Sequence, residues 1–371
     1  MREIETTEEL DRRLAGGAPL ANAVLQGLDL SAHGDRLEGV PLGQVVFLGC
    51  RLPQRLAERA AVEGALVFPD LPDLPYRPYR GTLYSVEELY EGFDRARPET
   101  YAASLDARVY EHWKRTGRAE PASIVETLAR RLHDHAITDA LHEAIAEQDI
   151  VAIMGGHGMP RSREAFADVC RIARDLSQRG LLLASGGGPG AMEATHVGSW
   201  FAARDEADML AAIDVLAEAP RYDDARWLAQ AFEVRERWPL EDAARHPSLG
   251  IPTWLYGHEP PNAFATIVAK YFANSVREDG LLAIAKSGVI FAPGSAGTIQ
   301  EIFQDACQNH YVTHGLVSPM VFLGKRYWCE EKPVYPLLEH LAEGRDYARW
   351  LTITDDVDEA VATIVAYREQ G

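Results

Sequence analysis

The chain has 371 residues, with 37 basic and 56 acidic side chains and a formal net charge of −19. That balance argues against a general binder of nucleic acid or of an anionic membrane, since either needs a basic footprint; it still allows a single phosphate held by backbone groups. A hydrophobic fraction of 47% permits a sizeable core, and the length suits two domains or one large domain with an appendage.

The N-terminal MREIETTEELDRRL is charged and amphipathic, without the apolar segment of a signal peptide, and no apolar run approaches the ~20 residues of a membrane span. Cys50, Cys170, Cys307 and Cys329 are far apart and form no C-x-x-C pair, so they read as reduced thiols of a cytoplasmic protein. Residues 24–49 carry two similar phrases, LQGLDLS and LEGVPLG, which predict a few β-coils or hairpins, like one or two turns of a pentapeptide-repeat helix. Residues 69–81, PDLPDLPYRPYRG, cannot continue a helix or a central strand and read as a linker or extended arm. Residues 85–115 read as helical. Residues 1–120 are therefore taken as an accessory segment of short β-coils and helices that covers the main domain and aids assembly.

From residue 121 onward the pattern is α/β. A helix over 122–148 leads to IVAIMGG, an apolar run ending in glycines. The helix REAFADVCRIARDLSQRG follows, closed by Gly180, and LLLASGGGPG is the next apolar run into glycines. MLAAIDVL reads as a strand, ARWLAQAFEVRERW as a helix, IPTWLYG as a strand and residues 263–286 as one long helix. GVIFA then meets PGSAGT, and PMVFLG and WLTIT alternate with helices to the end. Buried strands alternating with amphipathic helices predict a Rossmann-like, doubly wound parallel sheet with helices on both faces, over residues 121–371. Ligands of such sheets bind beyond the carboxyl ends of the strands.

Three glycine clusters fall there. They are Gly155-Gly156-His157-Gly158, Gly186-Gly187-Gly188-Pro189-Gly190 and Pro293-Gly294-Ser295-Ala296-Gly297-Thr298. Each is a strand-to-helix turn in which a ligand can approach the backbone and meet the unpaired N–H groups and positive end of a helix. Thr298 can cap its helix and donate its hydroxyl to a phosphate oxygen. No Walker A lysine follows any turn, which argues against ATP hydrolysis of the P-loop type. Gly186-x-Gly188-x-x-Ala191 also fits the loose dinucleotide pattern, but after the second strand and with Pro189 inside it, so an NAD-dependent oxidoreductase is the weakest reading.

SGGGPGAMEA (185–194) together with PGSAGTIQE (293–301) resembles the LONELY GUY (LOG) family, nucleoside 5′-monophosphate phosphoribohydrolases formerly mislabelled lysine decarboxylases. The resemblance covers roughly residues 148–369, including GGHGMPRS at the first turn. It implies hydrolysis of the N-glycosidic bond of AMP or a cytokinin-type nucleotide to free base and ribose 5-phosphate. It implies Glu301 and Arg277 as catalytic residues, with Gly294, Ser295, Gly297 and Thr298 as the phosphate turn. Gly155, Gly156, Gly187, Gly188, Met192 and Glu193 complete the expected nucleotide site, and a homodimer follows from the same resemblance. Glu301 stands one helical turn after Thr298, where a carboxylate can stabilise the positive charge that builds on a ribose as its base departs. Ser295 replaces the second glycine of the family's P-G-G. That substitution and the extra N-terminal residues favour a non-catalytic nucleotide sensor as the alternative.

No cofactor is expected. Pyridoxal phosphate needs a Schiff-base lysine, and Lys270, Lys286, Lys325 and Lys332 sit in no cofactor motif. No metal site is expected either, because His133 and His135 point apart on a helix and the prolines after His258-Glu259 break an H-E-x-x-H helix. His157 is equally an exposed loop residue or a substrate contact. Tyr256 and Phe264 can stack on a base, although core packing is the commoner role.

Overall fold

The computed structural model describes residues 2–71, 73–240 and 242–370. The chain divides into two compact units, Met1–Leu83 with Arg115–Ala144, and Tyr84–Lys114 with Ile145–Gly371. This differs from a single break near residue 120, and the reason is chemical. In the second unit, Asp106 forms a fully buried ion pair with Lys270, Tyr84 bridges Val268 at the sheet edge, and the Tyr90 hydroxyl donates to the Pro261 carbonyl. Residues 84–114 thus belong to the sheet-bearing unit that the sequence reading began at 121.

The first unit opens with β1 (Arg2–Ile4), α1 (Thr7–Ala15), β2 (Ala23–Gln26), β3 (Val46–Leu48), α2 (Gln54–Glu63) and β4 (Leu66–Phe68). The four strands form one parallel sheet in sequence order, with partners Arg2↔Ala23, Val24↔Val46 and Val46↔Leu66. Each coil therefore consumes about 20 residues, as in a solenoid. Hairpins are ruled out here, because a parallel neighbour needs a crossover rather than a tight turn. Leu25, Leu30, Leu37, Leu42 and Phe47 fill the coils. The proline-rich stretch, apart from Pro72, which lies outside the described residues, is not a loose linker. Tyr76 is buried edge-on against His133, and Arg80 donates to the carbonyls of Thr82 and Leu83.

Next come α3 (Val86–Leu89) and α4 (Leu105–Arg115), then α5 (Ile124–Ile145), most of which returns to the first unit. The second unit continues with β5 (Ile150–Met154), α6 (Glu164–Gln178), β6 (Leu182–Ser185), α7 (Ala191–Trp200), α8 (Glu206–Ala217), α9 (Trp227–Arg237), β7 (Ser248–Gly250) and β8 (Ile267–Val268). It closes with α10 (Asn274–Ile284), β9 (Val289–Phe291), α11 (Ala296–Tyr311), β10 (Met320–Leu323), α12 (Tyr335–Ala342), β11 (Leu351–Thr354) and α13 (Val357–Arg368). Its seven strands are all parallel, in the order β11-β10-β9-β5-β6-β7-β8. This is the Rossmann-like doubly wound order with one added edge strand, and winding reverses between β5 and β9.

Three expected elements differ. MLAAIDVL lies in α8, not in a strand: Met209, Ala212, Ile213 and Leu216 are buried at i, i+3, i+4 and i+7, and Glu206 and Asp208 favour the helix N-terminus. The strand expected at IPTWLYG falls earlier, at β7. Ile251 still donates to the Ser185 carbonyl, but Pro252 has no N–H to continue the ladder, and the chain turns into a 3-10 helix at Trp254–Tyr256. The helix expected over 263–286 shortens to α10, because β-branched Thr266, Ile267 and Val268 run along the sheet edge.

Candidate functional site

The switch point between β5 and β9 opens into a cavity of about 730 Å³. The loop after β5 supplies Gly155, Gly156 and His157. The turn after β6 supplies Gly186, Gly188 and Met192, and the turn after β9 supplies residues 293–298. Arg277 and Glu278 reach it from α10 and Glu301 from α11, while Tyr256 and Glu259 come from the segment after β7.

The PGSAGT turn is shaped by its own side chains. A Cβ on Gly294 would stand 2.1 Å from Thr298 Oγ1, so only glycine fits there. Ser295 has φ −116° and is exposed, an ordinary backbone that needs no glycine, so the departure from P-G-G costs the turn nothing. The N–H groups of Ala296, Gly297 and Thr298 begin α11 and donate to no backbone carbonyl. Thr298 is 4% exposed and lines the cavity, yet its hydroxyl makes no hydrogen bond among the described residues. Donors and a helix dipole thus converge on the cavity wall.

Arg277 and Glu301 are brought together as the resemblance implied, with Nη1 3.6 Å from Oε1. The rest of the Arg277 guanidinium is committed to the fold: Nε donates to the Ile251 carbonyl at 2.8 Å and Nη2 reaches that of Gly186 at 3.4 Å. Burial pushes the Glu301 carboxyl up to about 7; Arg277 pulls it down and Glu278 adds to the rise. Burial also raises Glu259, against the pull of His157, His258 and Arg277. The cavity therefore has an end lined by the N–H groups that begin α11 and a carboxylate wall of Glu259, Glu278 and Glu301.

Two expected ligand residues lie elsewhere. Glu193 is fully buried, and both its oxygens are taken by Arg161, whose Nη1 also donates to the Trp227 carbonyl. It pins α7 and does not face the cavity. Gly187 is turned inward at φ 72°, where its carbonyl accepts from Asn262 and its N–H donates to Ser185 Oγ. Ser185 Oγ in turn lies 2.8 Å from His196 Nε2, a buried ring that desolvation lowers to about 3 and keeps neutral. These are braces of the glycine turn. Phe264 is core, packed edge-on against Trp200, whereas Tyr256 is exposed to the cavity.

Sequence reasoning missed Glu259, Glu278, Tyr327 and Lys332. The Tyr327 hydroxyl donates to the Gly294 carbonyl, and Lys332 Nζ reaches the same carbonyl and Ser295 Oγ. Both follow β10, about thirty residues beyond the turn, and no motif marks them.

No protein-family profile matches the chain, and no curated relative matches it. Among solved structures, a molybdenum cofactor binding protein from the phototrophic bacterium Rippkaea orientalis matches at 13% identity and a TM-score of 0.37, over 59% of this chain and 97% of that one. A Moco carrier protein from Chlamydomonas reinhardtii matches at 15% and 0.38, over 61% and 100%. Likeness at this level assigns no ligand to this chain. It does correct one expectation: the matched proteins bind or carry the molybdenum cofactor. These matches overturn the expected cleavage of a nucleoside 5′-monophosphate, and none of them supports a nucleotide sensor or an NAD-dependent oxidoreductase. Among the described residues no helix is long and apolar enough to cross a membrane, and no cluster of ligating side chains is arranged to hold a metal ion.

Proposed function

We propose that the second unit binds a phosphorylated small molecule and holds it intact, as a binding or carrier protein does. The observation that carries this reading is the unpartnered Thr298 hydroxyl beside three unbonded N–H groups, at the switch point of a doubly wound sheet. A cavity of about 730 Å³ is the size of a small-molecule site. Its carboxylate wall favours a ligand whose other end is rich in hydroxyl or amino donors. The motif resemblance to the LOG family supports the same phosphate turn, and with it a homodimer in the cytoplasm.

Calorimetry with ribose 5-phosphate, inorganic phosphate and the molybdenum cofactor tests the reading. Expected is saturable binding of at least one of them, weakened about tenfold in Thr298→Val, since the variant loses one charge-assisted hydrogen bond. The ligand should be recovered chemically unchanged. Absence of binding by any of the three to folded protein, or its recovery in cleaved form, overturns the proposal.

A further inference from the structure

Lys332 follows the π-helical turn Tyr327–Glu331. Its ammonium lies 3.2 Å from Ser295 Oγ and 3.3 Å from the Gly294 carbonyl, over the Tyr327 ring at 5.9 Å. No carboxylate among the described residues pairs with it, although the chain carries 56 acidic side chains. The neighbouring Glu331 is instead paired with Arg326 at 3.3 Å. An ammonium bonded only to a hydroxyl and a carbonyl leaves its charge unmatched.

The cavity beside it is lined by two guanidinium groups, Arg163 from the start of α6 and Arg277 from α10, neither of them on the PGSAGT turn itself. The N–H groups of residues 296–298 and the Thr298 hydroxyl offer partial charges only. Arg277 is spent on two carbonyls and on the carboxylates of Glu278 and Glu301. A dianionic phosphate on the turn would face those two glutamates, and a full positive charge at the rim of the turn would offset them.

We propose that Lys332 is that charge: it rests on Ser295 and Gly294 while the turn is empty, and swings onto a phosphate oxygen when a ligand binds. Its flexible four-carbon stem allows the short move, and Tyr327 keeps the Gly294 carbonyl bonded after the ammonium has left. Ser295, where glycine would stand in the P-G-G pattern, supplies the resting acceptor. The site would then select doubly charged terminal phosphates over phosphodiesters and carboxylates. This inference rests on the reading that residues 294–298 hold a phosphate.

The test titrates ribose 5-phosphate into the wild-type chain and into Lys332→Met, Lys332→Arg and Thr298→Val, at several salt concentrations. Lys332→Met is expected to weaken binding about tenfold or more and to flatten its salt dependence, because a screened charge pair is gone. Lys332→Arg is expected to restore most of both. Thr298→Val should weaken binding with the salt dependence unchanged. If Lys332→Met binds like wild type while Thr298→Val does not, Lys332 is no phosphate partner, but the phosphate reading stands. A Lys332→Met loss without a change in salt dependence, and not restored by arginine, makes Lys332 a brace of the turn and also overturns the proposal. If the wild-type chain binds neither ribose 5-phosphate nor inorganic phosphate, the phosphate reading falls and this inference falls with it.

Discussion

The turns after β6 and β9 are built alike and end differently. Each leaves a parallel strand through glycines, enters a helix and places a glutamate soon after, Glu193 in α7 and Glu301 in α11. Glu193 meets Arg161, which comes from the loop after β5 and grips both its oxygens. Glu301 meets an arginine already occupied by carbonyls, 3.6 Å away, and stands against Glu278 and the cavity. A glycine turn with a following glutamate therefore says where a helix begins, but not whether the carboxylate serves the fold or a ligand. That depends on which arginine the rest of the chain delivers.

The contrast breaks most visibly at Arg161. Arg161→Met leaves the Glu193 carboxyl without its partner in the core, and should cost about 3–5 kcal/mol by denaturant unfolding. A loss under 1 kcal/mol would mean that the pair is not what fixes α7. At Glu301 the sign reverses. Its carboxyl is raised in the folded chain, so its contribution to stability is complete below its unfolded value of about 4.5 and is lost as pH rises through about 7. Glu301→Gln should thus match wild type near pH 4 and be more stable by up to about 3 kcal/mol at pH 9. Equal melting temperatures across that range would show that Glu301 is well solvated. Gly294→Ala drives a Cβ into Thr298 and should cost about 1–3 kcal/mol, with phosphate binding lost as well. Ser295→Gly should change stability by only a few tenths of a kcal/mol, since the serine makes no capping bond; calorimetric melting checks both.

The sheet-bearing unit was legible because its strands are uniformly apolar and its turns rich in glycine, and both signals are local. The same locality explains the errors. MLAAIDVL looks like a buried strand until Glu206 and the spacing from Met209 to Leu216 are counted with it. Thr298 was readable as a hydroxyl at a helix start, and it lines the cavity there. Glu193 was not readable as a brace, because its partner lies 32 residues away and an arginine in a loop carries no mark of its target. Lys332 was set aside for lack of a motif, and it lies 37 residues beyond Ser295. Contacts across such spans are made by the topology, which residue spacing alone does not encode. The boundary near 120 misled for a related reason: residues 84–114 change composition with the N-terminal segment but are claimed by partners beyond residue 230, such as Glu233 and Glu236 for Arg95.

The buried pair of Asp106 with Lys270 has a consequence for the order of synthesis. Its members are 164 positions apart, and both are fully buried. As the chain leaves the ribosome, Asp106 and the aromatic residues around it emerge long before the lysine that will pair with Asp106. Residues 115–144, which complete the other unit, are made in between. The solenoid unit can close first, while residues 84–114 wait as an exposed segment with an acidic side chain and the apolar faces of Tyr90, Phe93 and Trp113. Chaperone dependence during that interval, relieved once residue 270 has emerged, is what a nascent-chain proteolysis series would detect.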